Sequence, residues 1–148
     1  MSESAAKTPK KNISEKFQIR RREVSQEIYE NIEKLSSLKT LKDAQVNMLS
    51  LRQRLLEDNH TLLEHITSLK KKFRDERAQE MENVSKNLQL RYQSNEKTVV
   101  IEGKTSATKE YLEIFENQVS FFNESIKTID NIIFGIKTRI DIEKTLGL

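Results

Sequence analysis

The stretch LKDAQVNMLSLRQRLLEDNHTLLEHITSL, Leu41 to Leu69, decides the fold. Leu41, Met48, Leu55, Leu62 and Leu69 recur at every seventh residue, the repeat of a helix that keeps one seam against a neighbour. Leu38, Ile66 and Phe73 stand in the complementary column together with the polar Gln45, Arg52 and Asn59. Polar residues at such positions lower stability but penalise wrong registers and wrong oligomers. Beside the seam runs a second sevenfold column, Leu49, Leu56 and Leu63, which broadens the apolar stripe beyond what a single neighbouring helix covers. The pattern predicts a long coiled-coil helix over residues 38–92, with its charged stretch 70–83 mostly solvated.

Outward from this helix the same period returns near the C-terminus. Leu112, Val119, Ile126, Ile133 and Ile140 fill one core column, and Phe115, Phe122, Ile129 and Ile136 the other. Isoleucine at both core positions favours three or four strands over a parallel pair. Tyr111, Ile114, Phe121 and Ile132 widen this stripe as well. A C-terminal amphipathic helix over 107–144 is expected, nearly wrapped by neighbours, and Gly135 within it suggests the close approach of another backbone.

Between the two helices, QSNEKTVVIEGKTS (residues 93–106) combines Ser-Asn, a β-branched run and Gly103, and is read as a turn. Gly103-Lys104-Thr105 also matches the end of a phosphate-binding loop. That loop needs a glycine five residues before Gly103, and Thr98 stands there; nothing else in the sequence reads as a strand of the βαβ sheet that such a loop leaves. Gly103 is therefore assigned to the turn, with Thr105 or Ser106 capping the next helix.

On the other side, Asn12 and Glu15 form a capping pair for a first helix over 13–36, marked by Phe17, Val24, Ile28, Ile32 and Leu35. At Leu35, Leu38 and Leu41 the spacing shortens to three and three, which predicts a kink or loop. Residues 1–12, rich in Ser, Ala and Lys, read as a disordered basic tail. The fold class is thus all-α: an elongated coiled coil or helical hairpin whose long helices contribute to a heteromeric bundle. Only 3 glycines and 1 proline in 148 residues agree with few chain reversals.

Composition narrows function. With no cysteine, disulfides and thiolate metal sites are excluded. His60 and His65 are five apart, roughly 140° around a helix, and cannot share a metal as an i, i+4 pair does. No apolar run is long enough to cross a bilayer, and the N-terminal residues lack a hydrophobic leader core. Carboxylates such as Glu30 and Glu82 pair at helical spacing with Lys34 and Lys86, the ordinary fate of charge on a long helix. No catalytic residue, cofactor, metal or small-molecule substrate is expected.

Positive charge gathers at the N-terminus, where Lys7, Lys10, Lys11, Lys16, Arg20, Arg21 and Arg22 face only Glu3 and Glu15. Lys10-Lys11 and Arg20-Arg21-Arg22 are spaced like the halves of a two-part nuclear import signal, and Thr8-Pro9 resembles a proline-directed phosphorylation site. A nucleus-located chain is expected, with a cytoplasmic one the alternative.

The C-terminal sequence KTIDNIIFGIKTRIDIEKTLGL (127–148), an Ile-rich helix after a long coiled-coil body, resembles inner-kinetochore coiled-coil subunits of the centromere protein H type. The resemblance implies assembly with other helical subunits at the centromere and brings no catalytic residues. The leading expectation is a non-enzymatic structural subunit of a multiprotein complex. Its partner-binding residues would be Leu41, Met48, Leu55, Leu62, Leu69, Phe115, Val119, Phe122, Ile126, Ile129, Ile133 and Ile136. The alternatives are a cytoplasmic vesicle-tethering or cytoskeletal adaptor, and a nucleic-acid-binding coiled coil that uses the basic N-terminus.

Overall fold

The computed structural model describes residues 9–86 and 94–147, and every described residue except Ser37, Leu146 and Gly147 is helical. There are three α-helices, α1 (Pro9–Glu33), α2 (Leu38–Lys86) and α3 (Ser94–Thr145), with a short 3-10 turn, Lys34–Ser36, between the first two. The all-α class expected from the apolar periods is what the structure has.

The helix ends follow local chemistry. Pro9 opens α1, where its fixed φ suits the first turn and its missing N–H would be unpaired anyway. The helix therefore begins ahead of the Asn12 cap and takes in residues 9–12 of the expected tail; the rest of that tail lies outside the described residues. The expected kink is present. Ser37 leaves the helical region at φ −128° and ψ 137°, and its Oγ accepts from the Lys39 N–H at 3.3 Å as the N-cap of α2. Thr40 Oγ1 donates to the carbonyls of Lys34 and Ser37 and closes the turn. At the other end, Gly147 takes φ 72°, and its N–H donates to the Lys144 carbonyl at 3.2 Å, a glycine stop for α3.

One expected element is corrected. The stretch 94–106 belongs to α3, with no turn at Gly103. Gly103 has no positive φ, and Thr105 caps nothing: its Oγ1 donates to the Ile101 carbonyl at 2.8 Å, one helical turn back. Ile101, Thr105 and Thr108 are buried at helical spacing, so burial of one face outweighs the weak helix propensity of the β-branched run. The expected end of the long helix at residue 92 lies outside the described residues.

The helices group into two compact units. The first comprises Met1–His60 and Gln118–Leu148 and is a bundle of three helical segments. Here α1 runs antiparallel to α2, with Arg20 bound to Asp58 and Asn47 to Asn31. It runs parallel to α3, with Arg21 bound to Gln118 and Arg139 to the Leu35 carbonyl. Arg52 meets Asp130 and Asn59 meets Asn123, so seven residues forward on α2 match seven backward on α3. The core contains Val24, Leu41, Ala44, Met48, Leu51, Leu55, Phe122, Ile126, Ile129 and Ile136.

The second unit, Thr61–Asn117, pairs two helical segments. Leu62, Ile66, Val84, Ile101 and Phe115 are its buried apolar residues. Glu76 accepts from Thr108 Oγ1 at 2.6 Å and Glu80 pairs with Lys104 at 3.6 Å, an antiparallel match at steps of four. His65, though exposed, has its ring 5.6 Å from that of Phe115.

Candidate partner-binding surface

The residues chosen from the sequence as partner-binding divide by burial. Leu41, Met48, Leu55, Leu62, Phe115, Phe122, Ile126, Ile129 and Ile136 are buried, while Leu69, Val119 and Ile133 are half-buried. They face the interior of their own chain. The three-stranded preference of isoleucine-rich columns is met in the first unit by three segments of one polypeptide, so these residues need no foreign helix to leave water. Gly135 is corrected too: a Cβ built on it meets nothing within 4 Å, so no backbone approaches it.

The complementary column also differs in the first unit. Ala44 and Leu51, each three residues beyond a seam position, are fully buried, whereas Gln45 and Arg52 are half-buried at the edge. Leu51 was legible as an apolar residue in a three-four alternation, Leu41, Ala44, Met48, Leu51, Leu55. Gln118 and Ser125, also buried, were not legible, because a search for apolar residues passes over them.

Among the apolar side chains that remain outward are those of the second column of α2 and its neighbour Val46. Val46 is 65% exposed, Leu49 50% and Leu56 38%, at spacings that put them on one face of the helix. In the second unit Leu63, the next member of the column, is exposed as well. A second feature of the first unit is a groove of about 380 Å³ between the end of α1 and α3. Ile32, Leu35, Leu41, Ile132 and Ile136 make it apolar, Gly135 leaves it open, and Thr128, Asn131 and Arg139 edge it.

The basic cluster is partly structural. Arg20 bridges to Asp58 at 3.1 Å. Arg21 Nε donates to Gln118 Oε1 at 2.7 Å, and its guanidinium lies 5.8 Å from the centre of the Phe121 ring. Lys11, Lys16 and Arg22 are exposed, and Lys10 is half-buried. Thr8 lies outside the described residues.

Among the described residues no group of three or more His, Asp or Glu side chains is placed to hold a metal ion, and no helix is long and apolar enough to cross a membrane. The Gly103-Lys104-Thr105 stretch offers no phosphate cradle, since Lys104 is paired with Glu80 and the Thr105 hydroxyl with the helix backbone. Comparison of the chain with protein-family models, with curated protein sequences and with solved structures finds no match.

Proposed function

We propose that the chain is a non-enzymatic helical structural subunit that assembles with other helical chains. The observation that carries this reading is the apolar face Val46, Leu49 and Leu56 on α2, which the three-helix unit leaves in water while Leu41, Met48, Leu51 and Leu55 of the same helix are buried. Apolar side chains at helical spacing form the ridge that an amphipathic partner helix packs against. The partner is expected to bring an apolar stripe of its own, flanked by polar residues. The nuclear, kinetochore-type setting is the version we favour, supported by the sequence resemblance of residues 127–148 and by the spacing of the basic clusters; a cytoplasmic tethering or adaptor role is the alternative.

Replacing Val46, Leu49 and Leu56 together by Gln, Gln and Gln is the test. Helicity and melting temperature are expected to stay near those of the parent, while helical proteins that co-purify with the tagged parent are lost. An unchanged set of co-purifying proteins would reject this face as the docking surface. For the setting, Lys10→Ala with Lys11→Ala and Arg22→Ala is expected to abolish nuclear accumulation of a tagged chain while leaving the bundle intact. The Arg20 and Arg21 contacts are untouched in that variant.

A further inference from the structure

We propose that α1 is exchangeable between two copies of this chain. In the exchanged form the turn at residues 34–37 straightens, α1 and α2 become one helix, and α1 docks on the α2 and α3 segments of a second copy, whose own α1 docks back.

The first argument is the turn itself. From Ile32 to Leu41 it contains neither glycine nor proline, and no residue there has a positive φ. Glu33 is already helical at φ −61° and ψ −32°, and Lys34–Ser36 form a 3-10 turn, so Ser37 is the residue whose backbone must change region. Nothing in its covalent structure resists that change. The bonds that hold the turn closed are side-chain substitutes for helix bonds: Thr40 Oγ1 to Lys34 and Ser37, Ser37 Oγ to the Lys39 N–H, and Arg139 to the Leu35 carbonyl. A continuous helix replaces them with backbone pairs of the ordinary i to i−4 kind. Short hinges between packed helices favour such exchange.

The second argument is how α1 is held. Val24 is its one fully buried apolar residue among those described, with Phe17 and Ile28 half-buried, and its polar attachments are Arg20–Asp58, Arg21–Gln118, Glu27–Arg54 and Asn31–Asn47. An interface with so few fully buried apolar side chains opens more readily than one carried by buried hydrocarbon. The same pairs name the occupant. A helix that takes the place of α1 must set an arginine at Asp58, a carboxylate at Arg54 and an amide at Asn47, in that order and spacing, and a second copy of α1 supplies all three.

The third argument is the apolar surface beside the turn. Ile32 and Leu38 are 42% and 50% exposed, Ile32 at the apolar groove beside α3. In the exchanged dimer the two straightened hinges cross near the twofold axis, which brings these side chains of both copies together.

Solution mass by light scattering over a wide concentration range tests the proposal. Ser36→Ala with Ser37→Ala removes the capping hydroxyl and raises helix propensity, and is expected to raise the dimer fraction severalfold over the parent. Insertion of Gly-Ser-Gly between Ser36 and Ser37 relaxes the turn and is expected to give monomer throughout. The cysteine-free sequence allows a contact test. Copies carrying only Glu27→Cys, refolded with copies carrying only Arg54→Cys, are expected to join through a short thiol crosslinker in proportion to the dimer. If the alanine pair remains as monomeric as the parent, if the insertion keeps the dimer, or if the dimer forms without that crosslink, α1 exchange is wrong. Since these readouts use the chain alone, they are independent of any foreign partner on the α2 face.

Discussion

Asn59 donates through Nδ2 to Asn123 Oδ1 at 2.8 Å, while its own Oδ1 is buried with no hydrogen bond. A buried acceptor left unsatisfied costs about 1–3 kcal/mol, and Asn123, on the exposed side, can turn to water. Asn59→Leu is therefore expected to stabilise the chain by about 1 kcal/mol, a rise of about 3 °C in a thermal melt followed by circular dichroism. The polar layer also fixes the match of α2 to α3, so the leucine variant is expected to populate more oligomeric forms. Gln118 is the opposite case. It is almost fully buried, accepts from Arg21 and donates to the Phe17 carbonyl at 3.3 Å. Gln118→Ala removes both partners and opens space beneath α1, and is expected to cost about 2–3 kcal/mol by denaturant unfolding.

At the scale of the helix, two contrasts separate what lies inside from what only looks apolar. Leu51→Ala is expected to cost about 2–5 kcal/mol because Leu51 is completely buried, whereas Leu49→Ala, two residues earlier on the exposed face, is expected to stay within about 0.5 kcal/mol of the parent. Urea midpoints of the two variants check both values. Gly103→Ala tests the start of α3. In a helix interior with open space around the new Cβ, alanine is expected to stabilise by about 0.5–1 kcal/mol; in a left-handed turn it would destabilise. The sequence made the existence of all three helices legible, because the sevenfold spacing of leucines and isoleucines survives any detail of packing. It also made the break at Ser37 legible through the shortened spacing around it. It did not reveal that 94–106 is helical, since the local signals of Thr98, Val99, Val100 and Gly103 oppose a helix and burial of Ile101 against the second unit's own partner segment overrides them. The candidate site was less legible still. Apolar period identifies every residue that could face a neighbour, but whether that neighbour is the same chain depends on how many segments the chain itself brings to one core. Here α1 supplies the third strand, and the outward column passed from Leu41 and Met48 to Val46, Leu49 and Leu56.

For the whole molecule the two units differ in how much hydrocarbon each can withdraw from water. Three helical segments enclose an interior, so that Leu41, Met48, Leu51, Leu55 and Ile129 are essentially without solvent contact in the first unit. Two segments have only one interface between them. The second unit accordingly buries a shorter apolar set, mixed with Thr105 and Thr108, and uses exposed ionic pairs such as Lys72 with Glu76 that contribute little in water. Local opening free energy follows buried apolar contact, because backbone amides exchange when the packing over them is lost. Native-state hydrogen exchange is therefore expected to show at least about tenfold slower exchange for core amides in 41–56 and 122–136 than for those in 66–84 and 101–115, a difference of about 1.4 kcal/mol in opening free energy. Amides of α1 are expected to fall between the two, because one buried valine, the half-buried Phe17 and Ile28 and several polar pairs hold that helix in place. Equal protection in all of these segments would mean that the chain opens only as one cooperative whole, and that the thinner core of residues 61–117 is no weaker than the three-stranded one.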